Sequence, residues 1–300
     1  MGFFNKQKKF EQEVMENGME YSSFYGDSFK RLKKNKMAMF CAAILAVLVV
    51  IAIFAPLIAP YDPTYQDYTA VLAEPSQAHP FGTDEYGRDI LSRIIYGSRV
   101  SISIGIVAQI VASVVGVALG SLAGYYGGAV DNVISRIMEI FQAFPDLIFA
   151  MAIMTFMGKG VLNLFIALGL LTWVRTARMI RGSVMQLKEK EYIEASRACG
   201  ASTYWIIMKG LIPNCLSTII VLVTLGIPNA IMYEASLSFL GIGIQPPTPS
   251  WGNMISAAQT FISYRPVYSI TPGIAIMLTV IAFNIFGDGL RDALDPKLKT

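Results

Sequence analysis

The sequence predicts an all-α integral membrane protein with six transmembrane helices and a polar cytoplasmic loop between the fourth and the fifth. Three observations carry that prediction. Hydrophobic residues make up 54% of the 300-residue chain and charged ones 15%, a composition outside the range of soluble domains. Apolar blocks of spanning length recur six times. Of the 24 Lys and Arg residues, only Arg88, Arg93, Arg99, Lys159 and Arg265 fall on the outer segments of this topology. The excess on the other side sets both termini inside.

Residues 1 to 36 form a polar cytoplasmic segment with Lys6, Lys8, Lys9, Lys30, Arg31, Lys33, Lys34 and Lys36 ahead of the first span, residues 37–59. A basic leader of that length marks a retained anchor and not a cleaved signal. Phe10 to Tyr25 fits either an amphipathic surface helix or a solvated tail, and the tail is the simpler reading. Pro60 to Arg99 lies outside; Asp84, Glu85 and Asp89 there suit caps and ion pairs better than acid–base chemistry. Ile90, Leu91, Ile94 and Ile95 suggest an interfacial helix before the second span, residues 100–123. In that span Gly116, Gly120 and Gly124 share one face with Ala112, a pattern that permits close helix contact in lipid.

The third span, 133–156, carries Arg136, Glu139, Gln142 and Asp146 on one side of a single helix. Such groups at membrane depth mark a pathway or a subunit contact. Arg136 and Glu139 suit a mutual pair; Asp146, beside Pro145, reads as a path lining or as a structural group. The fourth span, 161–180, puts Trp173 at the interface with Arg175 and Arg178 snorkelling to the inner surface, and the helix runs on towards Lys190. The fifth, 214–240, bends at Pro228–Asn229, and Asn229 joins Gln142 and Asp146 as a translocation-path candidate. Counting from Asn214 sets Glu234 near the outer boundary, as a cap or interface contact. A short amphipathic helix follows on the outer face, from Met254 to Ile262, then the sixth span, 270–286, opened by Pro272, and a polar cytoplasmic tail whose last part is 291–300.

Residues 188–213 are the polar island. Glu191 to Cys199 reads as one helix, Gly200 as its left-handed stop, Ser202 as the cap of a second short helix, and Pro213 as the opening of the next apolar one. The series Glu194-Ala195-Ser196, Gly200, Ala201, Ser202, Ile212-Pro213 resembles the EAA coupling loop of ABC importer permeases, with Ser196 where Ala is usual and Gly210 where a larger residue is usual. Other stretches extend the resemblance. Phe81-Gly82-Thr83-Asp84, Gly87-Arg88-Asp89-Ile90-Leu91-Ser92-Arg93, Glu234-Ala235-Ser236-Leu237-Ser238-Phe239-Leu240-Gly241, Pro246-Pro247-Thr248-Pro249-Ser250-Trp251-Gly252 and Gly287-Asp288-Gly289-Leu290-Arg291-Asp292 look like the C-type permease of dipeptide and oligopeptide importers. It covers about Asn35 to Lys297.

That resemblance implies a type I ABC importer permease domain over 37–290 in a bacterial cytoplasmic membrane, with Glu194, Ala195, Ser196, Gly200, Ala201 and Ser202 docking onto ATPases. It implies four kinds of partner: a B-type permease, two ABC ATPase subunits, an extracytoplasmic peptide-binding protein and the peptide itself. No cofactor belongs to this chain, since ATP and Mg would sit on the ATPases; Gly158-Lys159-Gly160 lacks the spacing and hydroxyl of a phosphate loop. A single His79 and three cysteines without ligand spacing predict no metal site and no catalysis. Nothing calls for nucleic acid. Nickel chelates or glutathione are alternative cargoes on the same scaffold. A secondary transporter would want paired broken helices with internal repeats, and a channel a filter sequence; the chain has neither.

Overall fold

The computed structural model describes residues 24–295, so the expectations for Phe10 to Tyr25 and for the last residues of the tail concern positions almost wholly outside it. All regular structure among the described residues is helical, apart from one isolated bridge between Thr83 and Asp89. Helix α1 is Phe24–Lys34, α2 Lys36–Ile53, α3 Ala55–Ile58, α4 Ile90–Tyr126, α5 Gly128–Gln142, α6 Asp146–Met157, α7 Val161–Leu187, α8 Glu191–Ala198, α9 Thr203–Trp205, α10 Ile212–Phe239, α11 Trp251–Ala258 and α12 Pro266–Leu294. Among the described residues, five helical stretches are long and apolar enough to cross a membrane: α2, α4, α7, α9 continued through α10, and α12. The pair α5 and α6 makes a sixth crossing if its two arms are one span.

Several boundaries differ from the expectation, each for a packing reason. Helix α4 is continuous from Ile90, because Asp89 caps it by accepting from the Ser92 N–H at 2.7 Å, and the interfacial helix is its first turns. Helix α12 opens at Pro266 rather than Pro272 and runs on to Leu294, its last turns covered by α1 through Leu32, Leu290 and Ala293. The third span is not one helix. Pro145 offers no N–H and disfavours a helical residue before it; α5 stops at Gln142, α6 starts at Asp146, and the arms meet at 91°.

The tightest seam joins α4 to α7. A Cβ on Gly116 would sit 2.8 Å from the Trp173 carbonyl oxygen, one on Gly120 would collide with that of Ala177, and one on Gly124 would lie 2.7 Å from that of Arg181. The small-residue face thus meets a helix of the same chain, and backbone contact replaces the side-chain interdigitation that lipid does not drive. Trp173 is not at the interface; it is buried in that seam, edge-on to Phe141. Asp131 of α5 clamps Arg181 of α7 with two contacts at 2.5 and 2.6 Å.

At the start of α4, Asp84 receives Arg88 at 2.6 Å and Arg93 at 3.4 Å, and His79 meets the capping Asp89 at 2.9 Å, the pairing role expected of these carboxylates. Helix α11 does not lie on the surface. Trp251, Gly252, Asn253 and Met254 are buried, and Gly252 sits against the Ala235 backbone. That insertion also buries Glu234 completely, so the cap or interface reading fails. Its carboxylate accepts from Ser101 of α4 at 3.0 Å and from Ser238 at 2.8 Å.

Candidate functional site

The break between α5 and α6 creates the first site. Because the chain turns there, Gln142 at the end of one arm and Asp146 at the start of the other face the same cavity, while Arg136 and Glu139 stay outside its lining and pair with each other at 2.7 Å. Asp146 occupies the first turn of α6, where free N–H groups and the helix dipole favour a carboxylate. Asn229 completes the convergence from α10. The cavity has a volume of about 390 Å³. Gln109 reaches it from near the middle of α4 by lying against the Gly226 position of α10, where a Cβ would displace its amide.

Sequence reasoning missed the cationic wall. Arg175 and Arg178 both line this cavity, and Arg178 donates to the Gln142 side-chain carbonyl. The available signal was two arginines three apart inside an apolar helix with no acid at i±3 or i±4. Tyr233 was missed as well: its hydroxyl donates to Asp146 Oδ2 at 2.6 Å. Asp146, Arg175 and Arg178 enter no ion pair among the described residues.

The second site is the polar island. Helix α8 ends in two bonds, Gly200 N–H to Arg197 O at 2.9 Å and Ala201 N–H to Ser196 O at 3.0 Å, a Schellman stop that needs the left-handed φ of +79° at Gly200. No atom lies within 4 Å of a Cβ there, so the demand for glycine is conformational. Ser202 then caps α9 by accepting from the Trp205 N–H at 3.3 Å. The second short helix is not separate from the fifth span. A π-helical turn, Ile206–Leu211, carries α9 directly into α10, with the Ile212 N–H donating to Ile207 O; the wide turn accommodates Pro213, which cannot close an ordinary one.

One side of the island is anchored and the other is open. Ile193 is buried among Ile180 and Val184 of α7 and Ile206, Leu211 and Cys215 at the base of α10, and its Cδ1 fills the space over Gly210, which explains why no larger residue stands there. The Tyr192 hydroxyl donates to the Gly210 carbonyl at 3.5 Å. The Arg197 guanidinium lies over the Tyr125 ring at the end of α4. Glu194, Ala195, Gly200 and Ser202 are exposed, Ser196 and Ala201 half-buried, and Tyr204 is 75% exposed. Two of the helices that line the cavity, α7 and α10, are therefore gripped by the same loop.

Comparison with known proteins gives a consistent picture. Residues 116–300 match the binding-protein-dependent transport system inner membrane component family, and residues 23–75 match the N-terminal TM domain of oligopeptide transport permease C. The second match begins at residue 23, so the likeness includes α1 and not only the chain from Asn35. The dipeptide transport system permease protein DppC of Bacillus subtilis strain 168 is 44% identical over 278 residues, 92% of this chain and 87% of that one. The same-named protein of Alkalihalophilus pseudofirmus is 44% identical over 274 residues, 91% and 90%. The glutathione transport system permease protein GsiD of Pectobacterium atrosepticum is 41% identical over 273 residues, 91% of each. The MetNI methionine ABC transporter in an inward-facing conformation shares the fold, with a TM-score of 0.54 at 21% identity over 69% of this chain and 98% of that one.

Proposed function

The chain belongs to the binding-protein-dependent transport system inner membrane components, and from that premise we propose that it is the C-type permease of an ATP-driven importer for di- and oligopeptides. It is a membrane-embedded, non-catalytic subunit of a multicomponent ABC transporter. The observation that carries the cargo reading is the convergence of Gln142, Asp146 and Asn229 on one cavity that also presents the apolar side chains of Phe141, Leu171 and Leu222, a lining suited to backbone and termini of varied peptides. The dipeptide permeases at 44% identity support the same cargo. Glutathione, itself a small peptide, is the second reading, supported by the relatives that bear that name.

In this reading the cavity is half of the path, the other half coming from a B-type permease. Two ATPase subunits hold ATP and Mg and dock on Glu194, Ala195, Ser196, Gly200, Ala201 and Ser202 from the cytoplasm, where both termini lie. An extracytoplasmic binding protein delivers the peptide. Closure of the ATPase pair pushes α8; Ile193 passes the displacement to α7 and α10, and the walls carrying Arg175 and Tyr233 move as rigid bodies. Differential affinity of the two ATPase states for the loop is what shifts the path between its two openings.

The test is uptake of a labelled dipeptide, with glutathione and nickel in parallel, in cells with and without this chain. Loss of energy-dependent dipeptide uptake is expected. Intact dipeptide uptake with loss of one of the others moves the cargo and keeps the coupling. Glu194→Lys reverses an exposed charge and removes no buried contact; the complex is expected to assemble and lose substrate-stimulated ATP hydrolysis, whereas normal stimulation overturns the docking role.

A further inference from the structure

A cavity inside a membrane domain that keeps charges of both signs unpaired is built at a cost, because ionisable groups at that depth are stable only against protein, water or each other. Here they are not against each other. Asp146 has one oxygen engaged by Tyr233. Arg175, on the neighbouring helix, lines the same cavity and makes no hydrogen bond and no ion pair among the described residues. Asp146, Arg175 and Tyr233 thus share one cavity in which neither the carboxylate nor the guanidinium is neutralised by an ion pair.

We propose that Asp146 and Arg175 read the two ends of a zwitterionic peptide, Asp146 receiving the α-ammonium and Arg175 the α-carboxylate, with Tyr233 as the positioning residue that orients the Asp146 carboxylate. This rests on the reading of the cavity as half of a peptide path. The chemistry favours ends over side chains: the termini and the amide backbone are what all short peptides share. The same cavity supplies amides for the backbone from Gln109, Gln142 and Asn229, and flat apolar wall from Phe141 and Leu171. A guanidinium matches a carboxylate in a planar, two-donor geometry that an ammonium does not. The carboxylate end is thus fixed by shape as well as charge. Arg178 is the lesser contact, since one of its donors is engaged by Gln142.

The experiment measures equilibrium binding to the purified permease–ATPase complex with the binding protein omitted, so that selection upstream does not mask the cavity. The probes are alanyl-phenylalanine, its N-acetyl derivative and its C-terminal amide. Wild type is expected to prefer the free dipeptide over each blocked form by about tenfold or more, the worth of one charge-assisted hydrogen bond. Asp146→Asn removes the discrimination against the acetylated form and leaves that against the amide; Arg175→Gln does the reverse. Tyr233→Phe, which removes only a hydroxyl, weakens the discrimination against the acetylated form more than that against the amide, and serves if Asp146→Asn fails to assemble; equal weakening of both by Tyr233→Phe counts against the proposal. Equal weakening of all three probes by Asp146→Asn overturns the proposal in favour of a structural role. Unchanged binding in both charge variants, or no end preference in wild type, overturns it in favour of charges that answer to the neighbouring permease. ATP-driven dipeptide uptake by wild type without end discrimination sinks this inference alone; no peptide uptake at all removes the reading beneath it.

Discussion

Glu234 and Asp146 are both carboxylates set in the helices of the membrane domain, and their surroundings are opposite. Glu234 is fully buried, its two oxygens taken by Ser101 and Ser238. Those hydroxyls are themselves bound, Ser101 accepting from the Trp251 N–H at 3.3 Å and Ser238 from the Ile244 N–H at 3.0 Å. The chain satisfies this acid from α4, α10 and the loop leading to α11, and leaves nothing open for a ligand. Asp146 is exposed to its cavity with a single partner. A carboxylate closed off by its own chain ties elements together, whereas one left half-partnered at membrane depth answers to something that enters from outside.

That contrast can be broken by substitution, and the closed side should break hardest. Gly120→Leu drives a side chain into the Ala177 backbone of the α4–α7 seam; overpacking costs about 1–3 kcal/mol or more. With a backbone carbonyl as the obstacle, we expect loss of the assembled complex from the membrane, and normal assembly would remove the close-packing argument. Glu234→Ala orphans the hydroxyls of Ser101 and Ser238 at about 1–3 kcal/mol each, a clear fall in the thermal midpoint of the purified complex. Glu234→Gln keeps the volume and one acceptor and should recover most of it. If Glu234→Ala melted like wild type, the tie between α11 and the spans would not rest on this residue.

Two smaller effects sharpen the comparison. Ser202→Ala removes the α9 cap at about 1 kcal/mol, but the cap is exposed, so the loss should appear as faster amide hydrogen exchange in 203–205 with the global midpoint nearly unchanged. Asp146→Asn should shift the midpoint by no more than about 0.5 kcal/mol while transport falls. A stability loss as large as that of Glu234→Ala would show that the cavity acid is architecture too.

Much of the polar island at 188–213 is legible in the residues alone, and so is the glycine seam. Gly200, Ser202 and the Gly116–Gly120–Gly124 register are constraints on a backbone or on one helix face, and each acts within a few residues of itself. The misreadings share a different origin. Position along α7 predicts Trp173 at the membrane interface, yet it faces protein, and position gives no sign that Arg175 lines a cavity. The helical spacing around Met254 predicts a surface helix, and α11 is inserted. The polar stripe from Arg136 to Asp146 presupposes an unbroken helix, and Pro145 divides it.

The sequence by itself determined the six apolar blocks, the family likeness, the helix stops and caps, and which helix face could pack closely, because periodicity and the restricted dihedrals of Gly and Pro are local quantities. Only the tertiary structure decided that α5 and α6 meet at 91°, that the break aims Gln142 and Asp146 into the space walled by Arg175 and Tyr233, and that an inserted helix buries Glu234. Those outcomes depend on which segments, far apart along the chain, come to cover a given side chain, and burial of that kind leaves no mark on the residues immediately beside it.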